Sequence, residues 1–308
     1  MRSSGRPPIL PVTGFELDVG LCYVGRRDMN DEIDDILKGS FDLHVHAGPD
    51  ASQERRLDAM DTAREAYQAE MSGFVLKSHE YPTAPLAQAL NRMYPGLRVA
   101  GSLALNRSAG GLNPDAVSVS ARLGARVVWM PTFDADFYLR SQGRGPGIRL
   151  TDERERLVPE VMDILDIMAE HDMVLASGHV SPAEAITLFK AAKERGVRRM
   201  IATHPGGIAT DEEQRDMASL GAYLEYTFLA CMPNVAKTTV DELVAAVRTF
   251  GVGRCVVTTD FGQWMNPPAA EGMRMAIASL LHAGMAADEV SRLVKANPLE
   301  LIGDVRAS

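Results

Sequence analysis

The side chains best suited to chemistry in this 308-residue chain are its seven histidines. Five of them, His44, His46, His79, His179 and His204, stand on or just beyond short apolar and β-branched runs, while His171 and His282 close helical stretches and read as surface residues. His44 and His46 in FDLHVHA are two residues apart on an extended run, so both side chains leave the same face and can hold one metal ion. His179 ends MVLASGH, His204 ends RRMIATH and Asp260 ends RCVVTTD. Each follows an apolar run that would bury it, which an imidazole or a carboxylate tolerates only with a polar, charged or metallic partner. One such histidine alone reads as a satisfied core residue. Four of them with an aspartate at equivalent positions read as ligands of a common cation.

To bring these groups together, the chain must place the ends of distant strands at one point. Eight strand-like runs begin at Phe41, Gly73, Leu97, Ala125, Met173, Arg198, Ala222 and Arg254, and helical patterns alternate with them. Such alternation predicts βα units and a parallel sheet, and this number of units predicts one (β/α)8 TIM barrel, whose chemistry sits at the C-terminal ends of its strands. The helical stripes Val161, Ile164, Leu165, Met168 and Met273, Ile277, Leu280, Leu281 follow the spacing of a core-facing helix. The longest interval follows the fourth run, and its glycine- and arginine-rich stretch from Asp134 to Arg149 is expected to close over a bound substrate. Residues 1–40 are expected to be a short N-terminal extension, a leader or a cap on the bottom of the barrel, and residues 41–308 the barrel itself.

Composition narrows the function. Hydrophobic residues are 46% and charged residues 24% of the chain, as in an ordinary folded enzyme. A net charge of −9 leaves no basic surface for DNA or RNA, so no nucleic-acid partner is expected. No apolar stretch approaches the roughly 18 residues of a membrane span, and none of the pattern of a signal peptide is present, so a cytoplasmic protein without membrane contact is expected. Cys22, Cys231 and Cys255 lie too far apart for a zinc ribbon and read as reduced thiols. The expected partner is a small-molecule substrate, and a homo-oligomer is compatible with the sequence.

The order HxH, His, His, Asp on the first, fifth, sixth and eighth runs resembles the amidohydrolase superfamily over residues 41 to about 303. The tail ANPLELIG, with Asn297 and Pro298, is similar to the closing helix of phosphotriesterase-like members, and GSLALNRSAGGLNP and VVWMPTFD resemble a poorly characterised amidohydrolase-like group. The resemblance implies one or two divalent ions, zinc first, although the same nitrogen and oxygen donors accept manganese, iron or nickel. It also implies a metal-bound hydroxide that cleaves an amide, a lactone or another ester, with Asp260 as both ligand and proton acceptor. A metal-dependent non-oxidative decarboxylase, a phosphoester hydrolase and a catalytically silent metal-binding barrel are the alternatives.

One feature departs from the family. Binuclear members supply a bridging carboxylated lysine from the fourth strand, whereas this run reads VVWMPTF, with neither Lys nor Glu. Lys77 at the end of the second run can take that role as metal ligand and catalytic group, anchor a substrate, or form a salt bridge. His79, of the same parity, is a candidate substrate contact. Asn106, Glu225 and Arg144 are further substrate-binding candidates; Glu225 could equally orient a ligand or pair with an arginine. Arg107, Tyr138, Arg140 and Arg149 lie on neighbouring loops.

Overall fold

The computed structural model describes residues 29–303. Its eight strands are β1 (Phe41–His46), β2 (Gly73–Lys77), β3 (Arg98–Ala104), β4 (Ala125–Trp129), β5 (Val174–Ala176), β6 (Arg199–Ala202), β7 (Tyr223–Thr227) and β8 (Cys255–Thr258). They form one sheet in sequence order with every neighbouring pair parallel. β1 returns to the end of β8 through Asp260 N–H to the His44 carbonyl (2.9 Å) and His46 N–H to the Phe261 carbonyl (2.8 Å). The result is the expected (β/α)8 TIM barrel. Strands of such a sheet are covered on both faces, which is why they read as unbroken apolar runs rather than alternating ones.

Helices Ala59–Gln68, Ala84–Met93, Pro114–Arg122, Pro159–Glu170, Pro182–Glu194, Asp211–Ser219, Val240–Phe250 and Ala269–His282 follow β1 to β8 in turn. Three start with reciprocal caps, Ser181 with Glu184, Thr210 with Glu213 and Thr239 with Glu242, which satisfy backbone N–H groups left free at a helix start. Val161, Ile164, Leu165, Met168, Met273, Ile277 and Leu280 are buried, and Leu281 is partly buried against the same core. No helix among the described residues is long and apolar enough to cross a membrane. Cys231 and Cys255 are free thiols, whereas Cys22 lies outside the described residues.

The two ends of the barrel differ in chemistry. At the N-terminal ends of the strands, helix Asn297–Ile302 inserts Leu301 and Ile302 among Phe41, Val75, Val127, Tyr223 and Val256. Its carbonyls are held from the strands: Arg126 Nη2 donates to Ile302 O (2.8 Å), and Arg199 Nη1 donates to Glu300 O (2.6 Å) and Leu301 O (2.9 Å). The bottom is thus filled from the C-terminal side, while helix Met29–Leu37 of the expected cap packs on the outer helices Ala269–His282 and Ala287–Ser291. Residues 1–28 of the expected extension lie outside the described residues. Ile302 is fully buried, so Ile302→Ala should remove about 2–5 kcal/mol of stability, read as a lowered urea midpoint. Metal affinity at the opposite end should not change.

Candidate metal centre

The C-terminal end holds a dense cluster of buried ionisable groups. β1 carries His44 and His46, both buried, and pairs His46 with Lys77 of β2 in register. Asp260 follows β8 in the left-handed backbone region (φ 56°), and His204 follows β6 in the same region (φ 31°). Non-glycine residues enter that region at a cost of about 1–3 kcal/mol, and they do so most often at functional sites. Two glycines make the close approaches possible. A Cβ on Gly262 would lie 2.1 Å from the His46 carbonyl oxygen, and one on Gly178, just before His179, would lie 2.3 Å from the Met130 carbonyl oxygen.

Beneath the cluster, Asp42 ties β1 to the end of β8. Its carboxyl group accepts from Thr259 Oγ1 (2.5 Å), Thr259 N–H (3.1 Å) and His44 N–H (3.1 Å). Burial pushes its pKa up to about 7 despite these donors.

His44 has a defined orientation. Lys77 Nζ, a donor only, lies 2.9 Å from His44 Nε2, which makes Nε2 the acceptor and leaves Nδ1–H to donate to Glu225 Oε1 at 3.0 Å. Asp260 Oδ1 lies 3.1 Å from that same Nε2 and 3.2 Å from His46 Nε2. A carboxylate oxygen facing an imidazole lone pair is repulsive unless positive charge lies between them. His44, His46 and Asp260 each turn a ligand atom to a common point, with these atoms within 4.8 Å of one another. His46 Nδ1 and His179 Nδ1 are buried without a hydrogen-bond partner.

The other expected residues fall around this point. The His204 ring lies 6.2 Å from His44 and 5.0 Å from His179, and His79 stacks 4.7 Å from His46 and 6.3 Å from His179. The structure therefore brings His44, His46, His79, His179, His204, Lys77 and Asp260 into one chamber. Burial holds the pKa of His44 down at about 3 and those of His46, His79 and His179 well below the usual imidazole value, and it lowers His204 too. All five are neutral at pH 7, the state in which an imidazole can bind a metal. Burial also lowers Lys77 to about 8, against the opposing pull of Asp260 and Glu225.

Glu225, Asn106 and Arg144 differ in how they are placed around the chamber. Glu225 is 1% exposed beneath His44, whose Nδ1 lies 3.0 Å from its Oε1, and it accepts from Thr258 Oγ1 (3.1 Å). Burial raises its pKa to about 7. Asn106 gives its amide to His79 O (2.9 Å) and Thr132 Oγ1 (2.7 Å), and its carbonyl accepts from Thr132 and Asp134 N–H, so it braces the loop after β4. Arg144 stands on an exposed turn.

The first part of the stretch from Asp134 to Arg149 lies beside the site, whereas residues 140–146 are exposed. Helix Asp136–Ser141 sets Tyr138 5.2 Å from the His179 ring, and a bridge from Ala135 to Ile148 closes the loop.

Several neighbours have no signal in the linear sequence. Trp129 occupies the fourth-strand end, with Lys77 Nζ 4.7 Å over its ring, and its own Nε1 has no partner. Thr132 bonds His79 Nδ1 (2.8 Å), and Phe133 stacks on the same ring at 3.9 Å. Arg55, on the connection after β1, has a side chain only 3% exposed.

No curated protein matches the sequence. Solved structures match the fold. The probable dipeptidase PvdM from Pseudomonas aeruginosa aligns at 12% identity and TM-score 0.64, covering 91% of this chain and 99% of that one. An amidohydrolase from the same organism aligns at 13% identity and TM-score 0.61, with the same coverages. A variant of organophosphorus hydrolase from Deinococcus radiodurans aligns at 14% identity and TM-score 0.51, covering 79% of this chain and 83% of that one. These likenesses show the shared (β/α)8 barrel fold. Residues 39–225, more than half of the chain, match the Family of unknown function (DUF6282), and the chain belongs to that family.

Proposed function

We propose that this protein is a metal-dependent hydrolase that cleaves an amide, a lactone or another ester bond of a small molecule. The observation that carries this reading is the convergence of His44 Nε2, His46 Nε2 and Asp260 Oδ1 on one buried point. The donor set fits a divalent cation: neutral imidazoles, a carboxylate and, on His179, a buried ring nitrogen without a hydrogen-bond partner. His44, His46 and Asp260 would hold it, joined by His179 and His204, with zinc the first ion to test. When bound, such an ion polarises a carbonyl and makes water a stronger acid.

The chain's own groups then have distinct tasks. Glu225 fixes the His44 ring through Nδ1, as outer carboxylates do for metal-binding histidines. Asp260, the least buried member at 15% side-chain exposure, is placed to take a proton from water and pass it to the leaving group. As an ammonium, Lys77 competes for the His44 lone pair that an ion needs. As a carbamate it would lose that charge and offer oxygen ligands, so we assign it the place of the missing fourth-strand bridge. His79, buried between His46 and Phe133, lines the chamber as a substrate contact.

Loading with zinc, manganese, iron or nickel and assaying esters, lactones, amides and phosphoesters tests the reading; a loaded protein inert towards all carboxylic substrates overturns it. The neutral histidines set a pH dependence for the metal-free protein. Five imidazoles with lowered folded pKa take up protons only on unfolding below about pH 6.5, which destabilises the fold, whereas Asp42 and Glu225, raised to about 7, act the opposite way. The five outnumber the two. Urea unfolding should therefore show stability falling from about pH 6.5 to 5; a flat or rising profile would contradict the burial of neutral histidines. Glu225→Gln should weaken metal binding by about 10- to 100-fold in a competition titration. Asp260→Asn should keep the fold and lower turnover by about 10²- to 10⁴-fold; unchanged turnover would move the proton to another group.

A further inference from the structure

The connection after β1, residues 47–58, carries a buried guanidinium that the hydrolytic machinery does not use. Arg55 is bridged in antiparallel fashion to Gln263, Arg56 N–H donates to Gly262 O (2.8 Å), and Gln263 Nε2 donates to Asp260 O (2.8 Å). These bonds stitch the loop after His46 to the loop that carries Asp260 and fix Arg55 at the same end of the barrel as both. Its charge is felt by His44, His46, Lys77 and His79.

Asp50 holds only part of the Arg55 side chain. Nε donates to Asp50 Oδ2 at 2.7 Å, while Nη2 lies 2.6 Å from the same oxygen and has no aligned acceptor among the described residues. Asp50 Oδ1 is committed to the loop, accepting from Ser52 N–H (2.9 Å) and Gln53 N–H (2.8 Å). Both side chains are almost fully buried, at 3% and 4% exposure. A guanidinium removed from water needs acceptors for its N–H groups, and its planar fork matches a carboxylate through two parallel bonds. One face of the fork is fixed by Asp50, so the rest is held in place before a ligand arrives.

We propose that Arg55 anchors a carboxylate of the substrate, so that the molecule cleaved is an anionic acyl compound, such as an N-acyl amino acid or a carboxylated lactone. The assignment of the cleaved bond rests on the hydrolase reading; the anchor is tested by binding. Calorimetry on the zinc-loaded protein would compare N-acetylglycine, its primary amide and methylphosphonate. N-acetylglycine should bind at least about tenfold more tightly than the amide. Arg55→Met should weaken it by about 10- to 100-fold, the worth of a charged hydrogen-bonded contact, and bring the ratio of the two affinities towards one. Arg55→Lys should recover only part of the loss, because an ammonium keeps the charge without the fork.

Equal binding of acid and amide by the wild type, or an unchanged ratio in Arg55→Met, overturns the anchor. Tighter binding of methylphosphonate overturns the carboxylate assignment. If Arg55→Lys and Arg55→Met lower the melting temperature or the metal content equally, with the ratio preserved, Arg55 only braces the loop. Hydrolysis of the acid and the amide is assayed separately. Discrimination that disappears in Arg55→Met without any metal-dependent turnover keeps the anchor and removes the hydrolase reading, and turnover without discrimination does the reverse.

Discussion

The His44 lone pair and an Asp260 carboxylate oxygen face each other across 3.1 Å in the chamber, with His46 Nε2 3.2 Å from the same oxygen, and that meeting governs the architecture around it. Away from water it is unfavourable without positive charge between the atoms, because the low local dielectric strengthens repulsion as much as attraction. The fold is nonetheless built to enforce it. β1 turns two histidines to the same side, Asp260 adopts a left-handed backbone to reach them, and Gly262 leaves room for the close passage beside His46. Asp42 and Thr259 bind the two strands together immediately below. A scaffold that holds such groups against their own repulsion is prepared for a cation, and Lys77 supplies one positive charge there.

Stability and chemistry are separated along the barrel axis. At the lower end, Leu301 and Ile302 pack among aliphatic and aromatic residues, and arginines tie the incoming helix by its carbonyls. At the upper end, five histidines, a lysine and two carboxylates occupy space that a purely structural protein would fill with leucine or valine. Burial there keeps the histidines uncharged and the lysine easily deprotonated. The apolar packing below offsets the desolvation of polar groups above, an arrangement common to barrels whose active sites sit on the loops after the strands.

Much of this was legible in the sequence. Parallel strands covered on both sides leave long apolar runs, so all eight were visible, and four histidines and an aspartate closing such runs pointed together to a shared cation where one alone would not. The residues that the sequence did not reveal act through long-range contacts. Trp129 ends a strand as any core tryptophan could, yet it lies under the Lys77 ammonium. Arg55 stands in no motif or periodic run, and its burial beside Asp50 comes with a bridge to Gln263 on the loop after β8. Glu225 carried several readings because its partner, His44, is 181 positions away in the chain. Asn106 stands beside a strand end like a ligand-binding residue, but its hydrogen bonds are taken up by the neighbouring loop.

The filling of the barrel from its last helix has a consequence for biosynthesis. Arg126 and Ile302, joined at the barrel bottom, lie 176 positions apart. On a ribosome adding roughly 5–20 residues per second, the first four strands therefore wait many seconds before the residues that complete their interior emerge. During that interval a half-formed sheet presents unpaired edges and an uncovered apolar inner face, the surfaces through which nascent chains associate wrongly. A long wait of this kind makes folding depend on the order in which the chain emerges, a demand separate from the stability of the finished barrel.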